Sequence, residues 1–289
     1  MANEDGHTRV VAMDAQALQA FRAEVIAQKN LPTIPTVLAR IVRLTDGEGG
    51  NSRELVDVVE HDQALTGRIL RLANSAFFGQ TRRVATIPRA VVLLGFSTVR
   101  NLALGVKVWE TLGNGLSRGH LETLWAHGVT VAVASKWLTA RLRAGDPDEA
   151  FTAGLLHDIG RLVMAVRLGD VYWSTLTVAP PDQPVAAVES GTFGVDHAEV
   201  GGWLLDAWSL PPGIVEAVRQ HHEDGARAGL PGVVATGNHL VGWTDMSSGT
   251  CRPEAEAVMA PLAERGITPE AWAQMIAGVS AEGLLALNG

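Results

Sequence analysis

Residues 154–160 read Gly-Leu-Leu-His-Asp-Ile-Gly and place an imidazole beside a carboxylate in an apolar helical segment. Upstream, residues 146–149 read Asp-Pro-Asp-Glu, which combines a capping aspartate, a proline at the first helical position and a glutamate at the third. Apolar residues continue at helical spacing through Leu155 and Leu162. The pattern predicts one helix that carries His157 and Asp158 side by side.

Helical spacing extends outward from this segment over almost the whole chain. Residues 196–199 form a second capping box, Pro211 and Pro212 open a predicted helix that contains His221, and Thr268 starts a last helix. Alternating strand patterns are scarce. The sequence therefore predicts an all-α fold, with the polar stretch at residues 112–119 as the best candidate boundary between two helical parts.

The bulk composition narrows the function classes. Hydrophobic residues make up 47% of the 289 residues and charged residues 19%, so a sizeable core is expected. A net charge of -8 argues against a broad nucleic-acid surface, although a locally positive site for a small anion stays open. The single cysteine excludes an intramolecular disulfide. With no signal-peptide pattern and no apolar run near the ~18 residues that span a bilayer, we expect a cytoplasmic protein without a membrane partner.

Histidines supply the candidate chemistry. A divalent ion needs several neutral imidazoles and a carboxylate in one place, and such a donor set suits iron, manganese or zinc. The candidates are His157 with Asp158, the pair His221 and His222, His197 at a helix start, and His127 on an apolar helix face.

Simpler interpretations stay open for each of these histidines. A lone histidine such as His127 is more often a hydrogen-bonded core residue, and His197 could merely follow a capping aspartate. The pair His221–His222 could be a solvated helix end. The similar pair at residues 61–62 reads as the end of one helix and the cap of the next.

Four segments together resemble the HDOD domains, a branch of the HD superfamily. Residues 31–35, Leu-Pro-Thr-Ile-Pro, look like the opening motif of the family. Residues 62–66, Asp-Gln-Ala-Leu-Thr, with 69–76, Ile-Leu-Arg-Leu-Ala-Asn-Ser-Ala, are similar to its most distinctive block. Residues 87–95 resemble the next block, and residues 154–160 match the segment shared with HD enzymes.

The resemblance implies an N-terminal helical bundle packed against an HD-like helical core. It also implies a role in bacterial signal transduction, with protein partners in a signalling pathway. We divide the chain accordingly into an extension at 1–30, the N-terminal part of the HDOD domain at 31–115, the HD-like part at 116–245 and a C-terminal helical extension at 246–289.

Carried over by position, the resemblance also implies a metal site. In it, His127 matches the first histidine of the HD pattern, His157 and Asp158 its paired motif, and His197 the next histidine. The segment His221-His222-Glu223 resembles that of the HD-GYP phosphodiesterases. The members of this predicted site are His127, His157, Asp158, His197, His221 and His222, with Asn238 at the degenerate ligand position and one or two ions of iron, manganese or zinc as the cofactor.

Three departures from the enzymes weaken the expectation of catalysis. Asn238 stands near the position of the final metal-binding aspartate, and an amide is a poorer ligand than a carboxylate. Arg161 replaces the lysine that follows the His-Asp motif in HD-GYP enzymes and cannot easily give up a proton. No Gly-Tyr-Pro segment follows His222.

The sequence is consistent with three different functions. The favoured one is a regulatory binding module, in which a metal ion or a small phosphate-containing ligand sets the packing of the two helical halves. The alternative is a metal-dependent phosphohydrolase, a phosphodiesterase in which Asp158 bridges two ions and Arg161 assists. The third is a scaffold whose histidines only form hydrogen bonds in the core.

Overall fold

The computed structural model describes residues 13–27, 41, 52–74, 83–113, 115–180, 183–223, 229–242 and 255–279, and these ranges contain helices but no strands. The helices, labelled α1 to α15 in chain order, are Ala15–Ala27, Ser52–Glu60, Gln63–Ala73, Ile87–Leu94, Phe96–Leu112, Arg118–Leu142, Pro147–Leu156, Ile159–Leu168, Asp170–Val178, Val185–Phe193, His197–Ala207, Pro212–Arg219, Leu230–Gly242, Glu256–Ala263 and Pro269–Gly278. The all-α prediction is confirmed.

Helices α2 to α5 pack on one another as an N-terminal bundle. Local sequence sets their ends: the side chain of Asp62 accepts a hydrogen bond from the Leu65 N–H at 3.0 Å and caps α3. Thr86 caps α4, and Pro88 occupies its first turn. Gly95 links α4 to α5 with φ of 87°, a left-handed value that favours glycine. The pair His61–Asp62 is thus a helix junction, as its sequence context indicates.

The HD-like core forms around the long helix α6. Helices α7 and α13 pack against α6, while α11 packs against α8 and α12. Close approach of α8 to α11 requires a glycine, because a Cβ atom at Gly160 would lie 1.9 Å from the carbonyl oxygen of His197. This contact fixes the segment that follows Asp158 directly against the helix that begins at His197.

The N-terminal bundle packs against this core through α5, which contacts α7 and α8. A polar junction joins three of the helices: the Lys136 ammonium on α6 donates to Asp148 on α7 at 2.7 Å and to Thr98 on α5 at 2.8 Å. The packing of the bundle is therefore connected to the two helices that flank His157 and Asp158.

Two helix predictions require correction. The helix predicted through residues 147–162 is interrupted, because α7 ends at Leu156, His157 and Asp158 form a turn, and α8 begins at Ile159. Helix α12 ends at Arg219, so His221 and His222 lie in the turn that follows it rather than within a helix. The two histidine-bearing segments are therefore turns at the ends of α7 and α12.

Helices α14 and α15 follow the core, and Trp272 on α15 is fully buried, with its ring centroid 6.2 Å from that of Trp137 on α6. The motif at residues 31–35, residues 75–76 and Cys251 lie outside the described residues. The proposed division at residues 30, 115 and 245 stays a prediction. Among the described helices none alone is long and apolar enough to cross a membrane; α4 and α5 reach that standard only as a pair, which is bent by 118°.

Candidate metal site

Five separate parts of the fold bring the predicted site residues together. His127 comes from the middle of α6, the turn between α7 and α8 supplies His157 and Asp158, and His197 is the first residue of α11. The turn after α12 supplies the pair at 221–222, and Asn238 lies on α13.

Burial differs among the members of this cluster. His157, Asp158, His197 and His221 are buried, with at most 3% of the residue exposed. His127 is half-buried, and His222 lies at the exposed edge. The cluster is therefore enclosed on one side and open on the other.

Asp158 lies at the centre of the cluster. Its Oδ1 atom is 3.1 Å from Nε2 of His197 and 3.6 Å from Nε2 of His221. Nε2 of His157 is 3.5 Å from the same oxygen, while Oδ2 lies 3.9 Å from Nε2 of His127. One carboxylate thus faces four imidazoles.

The ligand atoms form two adjacent groups. One consists of His127, His157 and Asp158, and the other of the three imidazoles of residues 197, 221 and 222; within each group the ligand atoms lie within 4.8 Å of one another. In the second group Nε2 of His197 is 3.2 Å from that of His221 and 2.7 Å from that of His222. Each group has the size and donor types of a divalent-ion site.

Backbone carbonyls orient two of the imidazoles. Nδ1 of His157 lies 2.7 Å from the carbonyl oxygen of Gly154, and Nδ1 of His221 lies 2.6 Å from that of Val218. A carbonyl oxygen can only accept, so Nδ1 carries the proton and donates it in both rings. The Nε2 lone pairs are left facing the cluster, as in metal-binding histidines.

His157 gives the clearest test of whether the residues fit a metal ion. Its Nε2 atom is buried and makes no hydrogen bond within the described residues. Burial lowers the pKa of His157 well below its ordinary value, against the opposing effect of Asp158, so the ring is neutral at neutral pH. A buried lone pair without a donor, beside a carboxylate, fits a divalent cation.

Asp158 is also in the charge state that binds a cation, because its carboxyl group is ionised. Burial opposes its ionisation, but the surrounding imidazoles and the Arg161 guanidinium outweigh burial and hold the pKa of Asp158 well below its usual range. Arg161 lies 3.1 Å from Oδ2 of this carboxylate. Arg161 therefore lies beside the site, where the sequence places it, and is paired with Asp158.

Asn238 lies beside the first group, as the family pattern implies. Its Oδ1 atom is 3.0 Å from Nε2 of His127. A neutral amide thus bonds to one imidazole of the first group, whose single carboxylate is that of Asp158.

Sequence reasoning missed two buried residues behind the cluster. Glu189 on α10 bonds through one oxygen to Nδ1 of His197 at 2.5 Å, and through the other it accepts the hydroxyl of Tyr172 at 2.6 Å. Two signals were available: Tyr172 is the only tyrosine of the chain, and Glu189 is the only charged residue of α10.

Comparison with known proteins agrees with the architecture. The HDOD domain model matches residues 31–224. A protein of Treponema pallidum (strain Nichols), itself uncharacterised, is 26% identical over 199 residues, which cover 67% of this chain and 38% of that protein. The chain thus spans well under half the length of this relative.

Solved structures share the fold over nearly the full chain. A candidate phosphohydrolase from Shewanella amazonensis SB2B is 25% identical with a TM-score of 0.67, over 92% of this chain and 97% of that one. An HDOD domain protein with unknown function from Geobacter sulfurreducens is 23% identical with a TM-score of 0.68, over 93% of this chain and 99% of that one. Because the family model covers more than half of the residues, the chain belongs to the HDOD family.

Proposed function

We propose that this HDOD protein is a regulatory binding module of bacterial signal transduction whose HD-type site holds divalent metal ions. The observation that carries the proposal is the arrangement of four imidazoles around the buried, ionised carboxylate of Asp158, with a fifth imidazole, that of His222, 2.7 Å from His197. A scaffold needs no buried lone pair such as Nε2 of His157, since an unpaired buried polar atom costs about 1–3 kcal/mol.

Two ions would divide the ligands between them. His127, His157 and Asp158 would hold one ion, and the imidazoles of His197 and the 221–222 pair would hold the other. Imidazole with carboxylate favours iron, manganese or zinc over calcium or magnesium. When bound, such an ion supplies positive charge that attracts anionic ligands and acidifies bound water.

Regulation is favoured over catalysis by two residues. Asn238 gives the first group a neutral amide where a second carboxylate would strengthen binding. Arg161 is ion-paired with Asp158 and retains its proton, so it is unsuited to proton transfer but suited to a phosphate group. We therefore propose that the site also binds a small phosphate-containing ligand, next to the metal ions and Arg161.

Ligand binding at the site would affect a protein partner by changing how the helices pack. The turn at His157–Asp158 joins α7 to α8, and both contact α5 of the N-terminal bundle. A ligand that prefers one arrangement of these helices shifts the population toward it, commonly with about 1–3 kcal/mol of coupling. Protein partners in the signalling pathway would bind differently to the surface of the N-terminal bundle after this change in packing.

A metal-dependent phosphohydrolase is the second candidate. It is favoured by the position of Asp158, which belongs to the first group and lies 3.1 Å from His197 of the second. Paired ions that share a carboxylate are a common arrangement for hydrolysis of phosphate esters.

One experiment separates these functions. The untagged protein is incubated with Mn²⁺ or Zn²⁺, and both hydrolysis of bis(4-nitrophenyl) phosphate and hydrogen exchange of the α4 and α5 amides are followed. A regulatory module should show slower exchange in these helices and no hydrolysis. Hydrolysis that is abolished by Asp158→Ala would establish the enzyme instead, and unchanged exchange without hydrolysis would contradict both.

A further inference from the structure

A buried carboxylate lies directly behind the candidate metal site. Glu189 on α10 is completely buried, as is Tyr172 on α9. One oxygen of Glu189 accepts the Tyr172 hydroxyl at 2.6 Å. The other lies 2.5 Å from Nδ1 of His197 and accepts the backbone N–H of the same residue at 2.8 Å.

These contacts determine which nitrogen of His197 faces the cluster. A buried carboxylate is costly unless donors surround it, and Glu189 has three donors in Tyr172 and His197. Because Glu189 occupies Nδ1, the other ring nitrogen, Nε2, points at Asp158 at 3.1 Å. A metal ligand is commonly held in this way by a carboxylate on its second nitrogen.

The contacts close into a ring. The Tyr172 hydroxyl also interacts electrostatically with the Arg161 guanidinium, which lies 3.1 Å from Asp158. The path therefore runs from Asp158 through Arg161, Tyr172 and Glu189 to His197, and back to Asp158. It ties α8, α9, α10 and the start of α11 to one carboxylate, although α9 and α10 supply no ligand.

We propose that Glu189 is a positioning residue for His197, and that Tyr172 holds the Glu189 carboxylate in place. This inference rests on the proposed function, because it concerns the same site. It assigns to α9 and α10, which carry no part of the HD pattern, control over the affinity of the site.

Metal affinity of the 289-residue chain tests the inference, compared at an alkaline pH where the affinity of wild type and variant no longer changes with pH. Loss of an outer partner typically weakens metal binding by about 10- to 100-fold, so Glu189→Gln should weaken Zn²⁺ binding by this range, and Tyr172→Phe by less. The control is Glu110→Gln, which removes a carboxylate paired with Arg68 and Lys107 in the N-terminal bundle. This control should retain the wild-type affinity; wild-type affinity in Glu189→Gln would overturn the inference.

A measurement without metal keeps this inference separate from the proposed function. In the metal-free protein, the Nδ1 proton of His197 should give a downfield NMR signal that exchanges slowly with solvent. It should disappear in Glu189→Ala and shift upfield in Glu189→Gln, whose amide oxygen is a weaker acceptor. An unchanged signal in either variant overturns the positioning role. Absence of any metal binding by the wild type would defeat the proposed function alone, and the NMR result would still decide the role of Glu189.

Discussion

Asp158 serves two groups of imidazoles with a single carboxylate. Its environment keeps it ionised despite burial, and it lies between 3.1 and 3.9 Å from four different histidines. Its pairing with Arg161 balances one negative charge by one positive charge before any ion arrives. A divalent cation bound beside Asp158 would add positive charge to a pair that is already neutral.

His197 should release a proton when an ion binds. Burial works to lower its pKa, but hydrogen bonds with Asp158 and Glu189 outweigh burial and raise the pKa of His197 to about 9. The ring is therefore protonated at neutral pH, and Nε2 must lose its proton before it can bind an ion. Affinity of the second group should rise as the pH rises toward about 9, by about tenfold per pH unit, and level off above.

Calorimetry of Zn²⁺ binding in buffers of different protonation enthalpy measures this release. About one proton should be released near neutral pH for each ion that binds at the second group, which contains His197. By contrast, His157 is neutral there because its pKa is lowered, so it should contribute none. Tight binding that releases no proton and does not vary between neutral and mildly alkaline pH would contradict the assigned role of His197.

At the scale of helices, the sequence predicts the elements better than their ends. The capping boxes at Asp146 and Asp196 and the prolines at 211–212 place the starts of α7, α11 and α12 correctly, because capping depends on local sequence. The break after Leu156 was missed, since residues 154–162 keep helical apolar spacing across it. The turn is instead associated with tertiary contacts, since Asp158 contacts His197 on α11 and His127 on α6.

Convergence of the site was predictable only through the family pattern. His127 and Asn238 are 111 positions apart, and no local rule brings them to 3.0 Å. Glu189 was missed for the same reason, because its role depends on partners from α9 and α11 rather than on its own sequence context.

Substitution of Gly160 tests whether the close packing of α8 against α11 is needed for the site. A Cβ atom there would lie 1.9 Å from the carbonyl oxygen of His197 and 2.7 Å from the backbone nitrogen of Gly201. Gly160→Ala should therefore force α8 away from α11, lower the free energy of unfolding by about 1–3 kcal/mol and weaken metal binding.

Gly67→Ala is the matched control, because a Cβ atom at this helical position of α3 meets nothing within 4 Å. It should leave metal affinity unchanged and raise stability by up to about 1 kcal/mol. Urea denaturation and Zn²⁺ titration measure both effects. If Gly160→Ala matched the wild type in stability and affinity, the close approach of α8 and α11 would not be what holds His197 near Asp158.

For the whole molecule, the same helices serve the core and the site. The turn that carries Asp158 lies between two helices that contact the N-terminal bundle, and the outer partners of His197 come from helices beyond them. An ion that binds only the folded chain stabilises all of it, by about 4 kcal/mol at a thousandfold excess over its dissociation constant. The bundle and the core are therefore expected to respond to metal together.

The central claim is that imidazoles from separate parts of the fold hold divalent ions around Asp158, and elemental analysis tests it most directly. The untagged wild type, purified without chelator and dialysed, should retain one or two equivalents of iron, manganese or zinc per chain, and folded Asp158→Ala should retain far less. A wild type that carries no metal, and takes up none from added Mn²⁺, Fe²⁺ or Zn²⁺, would contradict the claim.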